Sequence, residues 1–501
     1  MKSYFVFLKR NKLYTAIQAF GLSVALGFVI LLASYARTEY MVGKTQPMSD
    51  KLYAMGFSGL MPLTVGSGPE ICPKIPQIKG YTRVGSTRSW DVIVGENSFA
   101  TNAMAIDTTF FHYFDYNLRG CDKDRVLAST TDILISEEFA KRAFGKENPI
   151  GKSITLPGHN ETLTIVGVVE DFGADDIFAP TEIFFSMIIE EQSRSWLDNF
   201  GTIYTFVTLN EGASIEDTKK ALQDKYMELW SSFYKPEASD ESRLSGVSLT
   251  PLSEIYFSNV ARGRGLRSGM VDLVWILVSV ALVLLFSAVF NYINLTTALL
   301  GKRAKEIAMR RLLGDMLGKV VWRNMMESLA FTSICFVFGC MVALIARPWF
   351  EQLLDAQIYI FSDLFSVVVA IALLLIVSFL AGSIPAFIVS RFKPIDVVKG
   401  SFRFQSKMRL SRVFILIQNT VSATLIAIAL LMVAQMHHLA TLPMGYRTKG
   451  LVQLTTYSYS IYVEQLRPIY DRLLAMPEVK RIGWAKNLPW DCQTNGVQEK
   501  G

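Results

Sequence analysis

The sequence predicts an α-helical integral membrane protein of five transmembrane helices with a large mixed α/β extracytoplasmic domain. Three observations carry that prediction. Five apolar stretches contain no charged residue, and each reaches the roughly 20 residues a helix needs to cross a hydrocarbon core. Lys and Arg crowd the connections on one side of the implied membrane, the side the positive-inside bias assigns to the cytoplasm. Between the first two stretches, residues 37–268 alternate short β-rich runs with helix-period segments, as a domain with its own core does.

In chain order, residues 1–36 hold a basic start (Lys2, Lys9, Arg10, Lys12) and the first stretch, Leu13–Ala36. Ser34-Tyr35-Ala36 offers small residues like a cleavage site, but the apolar run is too long for a signal peptide, so an uncleaved anchor with a cytoplasmic N-terminus is expected. Within 37–268, Thr131–Ser136 reads as a strand, Glu137–Phe144 as a helix ended by Gly145, and Leu163–Val169 and Ile203–Leu209 as further strands. Ser214 is placed to cap a helix running to about Phe233, with Asp217 in its first turn.

Residues 269–301 contain the second stretch, Leu273–Gly301, where Asn291 and Asn294 share a face suited to interhelical hydrogen bonding or to a substrate. A basic segment, 302–323, precedes the third stretch, Ser328–Ala346, in residues 324–346. A short external loop, 347–363, leads to the fourth, Leu364–Ser390, where Pro385 frees a carbonyl and is expected to kink the helix. Residues 391–412 are again basic, and Val413–Met436 forms the fifth stretch. From 437 to 501 a strand-like Leu451–Thr455 and a helix-like Val463–Ala475 read as the opening of a second external domain, left incomplete at Gly501.

Catalytic signatures are scarce. Gly145 to Ser153 resembles a phosphate-binding loop, yet five residues separate its glycines where four are required, and it leads into a strand. It reads as a turn built on Asn148-Pro149 and Gly151. His112, His159, His437 and His438 are too scattered for a metal or acid/base cluster, and the net charge of +6 is explained by the basic loops without nucleic acid. An enzyme is not expected, nor a cofactor bound by this chain. Cys72 and Cys121 fall on the oxidising side, where a bridge and mere coincidence stand as alternatives.

The most informative polar segment is Lys302 to Asp315. Ala308, Leu312, Met316 and Val320 recur every four residues among cationic neighbours, which predicts an amphipathic helix along the inner membrane face. Such a helix either binds anionic headgroups or receives a cytoplasmic partner.

Here the chain resembles the FtsX/MacB-like permeases of ABC transporters. The resemblance rests on Lys302, Arg303, Lys305, Glu306, Ile307, Arg310, Arg311, Leu313 and Gly314, directly after Asn291-Tyr292-Ile293-Asn294-Leu295. It extends to Asn148–Lys152 and Val166–Phe172 in the external domain, and to Pro385-Ala386-Phe387, Phe392–Ile395 and Lys399-Gly400. Met309 and Asp315 depart from the pattern. It is closest to the long, duplicated form with eight helices and two external domains, of which this chain ends inside the second.

The resemblance implies a subunit of the bacterial cytoplasmic (inner) membrane that pairs with a separate ABC ATPase, the subunit that binds ATP. Lys302–Gly314 would couple to that ATPase, with Asn291, Asn294 and Pro385 in helix packing. A second permease half or copy, a periplasmic adaptor and the lipid bilayer are the other implied partners. The expected function is transmission of ATP-driven motion to the external domain, exporting or extracting a hydrophobic or peptide-like substrate. A transmembrane signal transmitter controlling a cell-wall hydrolase or antimicrobial-peptide response is the alternative, and a membrane receptor without an ATPase the third.

Overall fold

A computed structural model describes residues 10–156, 161–191, 201–233, 246–260, 263, 265–354, 356–361, 363–390, 409–442, 450, 452 and 463–483. Helix α1 spans Lys12–Met41 and leads directly into the β-rich domain. Its strands are β1 (Leu52–Phe57), β2 (Ile78–Gly85), β3 (Arg88–Val94), β4 (Asn97–Ile106), β5 (Leu118–Arg119), β6 (Asp132–Ser136), β7 (Ser153–Leu156), β8 (Glu161–Val169), β9 (Ile183–Ser186), β10 (Ile203–Leu209) and β11 (Val247–Pro251). Helices α2 (Glu137–Phe144) and α3 (Ile215–Phe233) belong to the same domain. Then follow α4 (Val271–Leu312), α5 (Leu317–Leu354), α6 (Leu364–Ser390), α7 (Arg409–Thr441) and α8 (Val463–Leu474). Five of these, α1 and α4 to α7, are long and apolar enough to cross a membrane.

The sheet has a closed part and an open part. From β4 the pairing runs through β3, β7, β8, β6 and β9, and β9 pairs back onto β4 in parallel register, Ala103↔Ile183 to Ile106↔Ser186. Six strands thus form a ring without free edges, which removes the hazard of exposed strand edges. The antiparallel series β2-β10-β1-β11 extends from β4.

Side-chain alternation builds two cores from the same strands. Ala103, Ala105, Ile133, Ile135, Ile183 and Phe185 join one buried cluster with Phe139 of α2, whereas Met104, Ile106, Leu134 and Phe184 face a second. Both faces are covered, so these strands read as continuous apolar runs. The second cluster is aromatic: the Phe178 ring lies 5.0 Å from Phe114, 5.3 Å from Phe172 and 5.8 Å from Phe110. A third cluster packs Leu222 and Tyr226 of α3 on the open sheet, with Tyr226 stacked on Phe57 at 4.0 Å.

The local reading of the domain holds in detail. Ser136 accepts from the Phe139 N–H at 3.1 Å to cap α2, Gly145 ends that helix at φ 62°, and Ser214 accepts from the Asp217 N–H at 3.3 Å before α3. The loop from Gly145 to Gly151 is a turn: Asn148 accepts from the Ile150 N–H at 3.2 Å, Gly151 has φ 82°, and β7 follows. The Cys72–Cys121 bridge does not form. Both thiols are free; Cys72 sits in the cluster beneath α3, while Cys121 lies near Gly167 and packs on the second core. Burial pushes the Cys72 thiol up to about 12. Beyond α7, the expected helix is α8, whereas most of Leu451–Thr455 lies outside the described residues.

Candidate functional site

The basic segment 302–312 is not a separate helix lying along a membrane face. It is the last three turns of α4, a single 42-residue helix. At about 1.5 Å per residue α4 is about 63 Å long, roughly twice a hydrocarbon core. Its charge-free stretch ends at Gly301, so the Lys302–Leu312 turns continue past that stretch along the helix axis.

The chain then reverses in a tight turn whose hydrogen bonds explain Gly314. The Gly314 N–H donates to the Arg311 carbonyl at 3.2 Å and the Asp315 N–H to the Arg310 carbonyl at 3.1 Å, the paired bonds of a Schellman motif. That motif needs a left-handed residue, and Gly314 supplies φ 102°. Asp315, 3.8 Å from both Lys319 and Arg323, precedes the start of α5.

The reversal also splits the four-residue stripe. Ala308 and Val320 are buried on the two helices, but the apex residues point away: Leu313 is 83% exposed and Met316 81%, with Met309, Leu312 and Leu317 exposed beside them. Ile307 is buried, and Glu306 is bonded by Arg310 at 2.7 Å. Arg311 is half-buried next to the turn. Of Lys302, Arg303 and Lys305 only the helical backbone is described. The arrangement is an apolar tip flanked by arginine, a surface that suits a partner's groove better than open water.

Helix α1 packs against α4 and α5, and α6 packs against the same two helices. Gln18 Nε2 donates to Thr296 Oγ1 at 3.0 Å and to the Tyr292 carbonyl at 3.3 Å, tying α1 to α4. Thr332 and Ser378 share a hydroxyl bond of 2.6 Å between α5 and α6. Such contacts contribute about 0.6–2 kcal/mol each in a membrane. Where α1 crosses α5, a Cβ on Gly27 would stand 2.9 Å from the Gly339 carbonyl oxygen, so only glycine permits the approach. Asn291 is exposed, its amide lying near Gly21 of α1, and Asn294 is half-buried; the neighbouring Tyr292 and Thr296 accept the Gln18 bonds. Pro385 is buried within α6, which runs as one helix on both sides of it. At the other end of the bundle Arg37 of α1 pairs with Asp363 at 2.5 Å, just before α6, and lies 4.6 Å from the Phe365 ring centre. The polar ties Gln18, Thr332 and Ser378 and the glycine crossing had a sequence signal, namely polar or small residues inside apolar windows.

Comparison with known proteins gives two family matches in tandem. The MacB-like periplasmic core domain matches residues 15–225, and the FtsX-like permease C-terminal region matches 278–394. Among solved structures, a permease-protein domain from Porphyromonas gingivalis is 22% identical, with a TM-score of 0.35, and covers 44% of this chain and 95% of its own. The periplasmic region of MacB from Actinobacillus actinomycetemcomitans is 17% identical, with a TM-score of 0.30, covering 41% and 91%. The extracellular domain of the ABC-type transporter YknZ from Gram-positive bacteria is 14% identical, with a TM-score of 0.28, covering 40% and 99%. No curated protein matches. With a MacB-like domain and an FtsX-like permease region in that order on one chain, the protein belongs to the FtsX/MacB-like family of ABC-transporter permeases.

Proposed function

We propose that this chain transmits ATP-driven motion from a separate ATPase subunit, docked at the Leu313–Met316 turn, to the β-rich domain across the bacterial inner membrane. The N-terminus and the turn are cytoplasmic and the domain is external, a placement supported by the Lys and Arg of residues 302–323 and 391–412. ATP is bound and hydrolysed by the partner. This chain supplies the lever, and the cargo is a hydrophobic or peptide-like substrate displaced by the domain.

The observation that carries the reading is the exposed apolar tip between two helices that are each long enough to leave the membrane. Closure of the ATPase pushes on the tip; α4 carries the displacement as a continuous helix, and α1, locked to α4 and α5, moves with it. Polar ties within a water-poor bundle favour movement as a unit over slippage, because breaking one leaves its partners unsatisfied.

Charge reversal of the flanking arginines tests the docking. Arg310→Glu combined with Arg311→Glu is expected to lower recovery of the ATPase subunit with the tagged chain by about tenfold, an effect of about 1.4 kcal/mol. The loss should be largest at low salt, where exposed charges are least screened. Unchanged recovery would remove this turn as the docking site.

A further inference from the structure

At the end of the bundle opposite the Gly314 turn, a buried carboxylate lies where the chain segments joining helices to domain converge. Glu39, in the last turn of α1, is only 6% exposed. Tyr256 donates its hydroxyl to Glu39 Oε2, and the Tyr35 side chain, one turn back on α1, hydrogen-bonds to the same carboxylate. The Arg267 guanidinium lies 5.8 Å from the centre of the Tyr256 ring and donates to the carbonyls of Ala174 and, at 3.3 Å, Asp176.

The loop around Asp175 in turn grips both helix connections. It accepts the Gly43 N–H from beyond α1 at 2.9 Å, on the Asp175 carbonyl, and the Arg267 N–H from the lead-in to α4 at 2.7 Å, on the Ile177 carbonyl. The Gly269 N–H bonds the Tyr256 carbonyl at 2.9 Å, and a Cβ on Gly269 would stand 2.1 Å from the Tyr256 ring, so the lead-in passes flush against that ring. Burial, and then the bond to Glu39, raises the Tyr256 hydroxyl well above the usual tyrosine range, which keeps it a donor at physiological pH. A buried carboxylate is costly unless its partners are fixed, so the geometry around Glu39 is held tightly by its own chemistry.

We propose that Glu39 is the positioning residue that passes movement of α1 to the β-rich domain, by locking α1, the Tyr256 segment and the Arg267 lead-in of α4 into one rigid joint. The inference rests on the transmission reading above. Backbone bonds alone hold the segments near one another, whereas the carboxylate, through the Tyr256 hydroxyl, fixes the angle at which α1 meets the domain. Without it, α1 moves and the domain does not follow.

The test uses the full chain with its ATPase subunit in lipid nanodiscs, with and without a non-hydrolysable ATP analogue, read by hydrogen exchange in the domain. The wild type is expected to show a nucleotide-dependent exchange difference. Glu39→Ala should shrink that difference by about fivefold or more, a typical coupling magnitude, while recovery and turnover of the ATPase stay near wild type. Tyr256→Phe, which removes one hydroxyl and little volume, should lose part of the difference even if Glu39→Ala fails to fold. Glu39→Gln, which keeps an acceptor, should retain more of it than Glu39→Ala. If the variants exchange faster in both nucleotide states but keep the wild-type difference, Glu39 is merely stabilising and the proposal is overturned. A wild-type domain that ignores nucleotide overturns the transmission reading itself, before any variant is considered.

Discussion

Leu313→Asp combined with Met316→Asp is expected to lower recovery of the ATPase subunit with the membrane chain by about 1,000-fold. Apolar anchors at the centre of an interface cost about 2 kcal/mol or more each when lost, and each 1.4 kcal/mol is tenfold in affinity. Because the two side chains are 83% and 81% exposed in the free chain, the change removes little folding energy, so the chain should insert and accumulate normally. The defect should also persist at high salt, in contrast to that of the arginine reversals. Quantifying the co-purified ATPase from membranes at two salt concentrations checks both statements, and full recovery would show that the apolar tip has another use.

Phe178→Ala is expected to destabilise the β-rich domain by about 3–5 kcal/mol, the range for deleting a fully buried aromatic side chain. Phe178 is completely buried and lies between Phe110, Phe114, Phe172 and Phe206. Those partners come from three segments far apart in sequence, residues 110–114, Phe172 and β10, so no single neighbour can close the cavity. Phe178 also sits beside the loop that holds Gly43 and Arg267, and the loss therefore reaches the joint to the membrane helices. Amides of β10 in the full chain should exchange about 100-fold faster or more, given tenfold per 1.4 kcal/mol. A change below tenfold would mean that the aromatic core is not a cooperative unit.

Much of the fold was legible in local patterns. Strand β10 matches its sequence reading residue for residue, because an apolar run rich in β-branched and aromatic residues is bounded by Gly201 and Asn210. Helix α2 was legible through its Gly145 stop, while its Ser136 cap was read only as the end of a strand. Closure of the six-strand ring was not, since the β4–β9 pairing joins segments far apart in sequence and leaves no local trace. The turn was half legible. Its charges and Gly314 stood out, but a stripe of period four runs on through a Schellman turn as readily as through a helix, which hid the exposure of Leu313 and Met316. Glu39 escaped because a search for charge-free windows ends at Ala36, whereas α1 continues to Met41 with the carboxylate folded inward.

Photo-cross-linking from the tip measures the docking of the ATPase most directly. A photoreactive side chain is placed at Leu313 of the full chain, and a control probe at Glu96 in the exposed β3–β4 turn, in membranes that also contain the ATPase subunit. An adduct with the ATPase is expected from Leu313 and none from Glu96. An ATPase adduct from Glu96 with none from Leu313 would contradict both the docking site and the orientation of the chain.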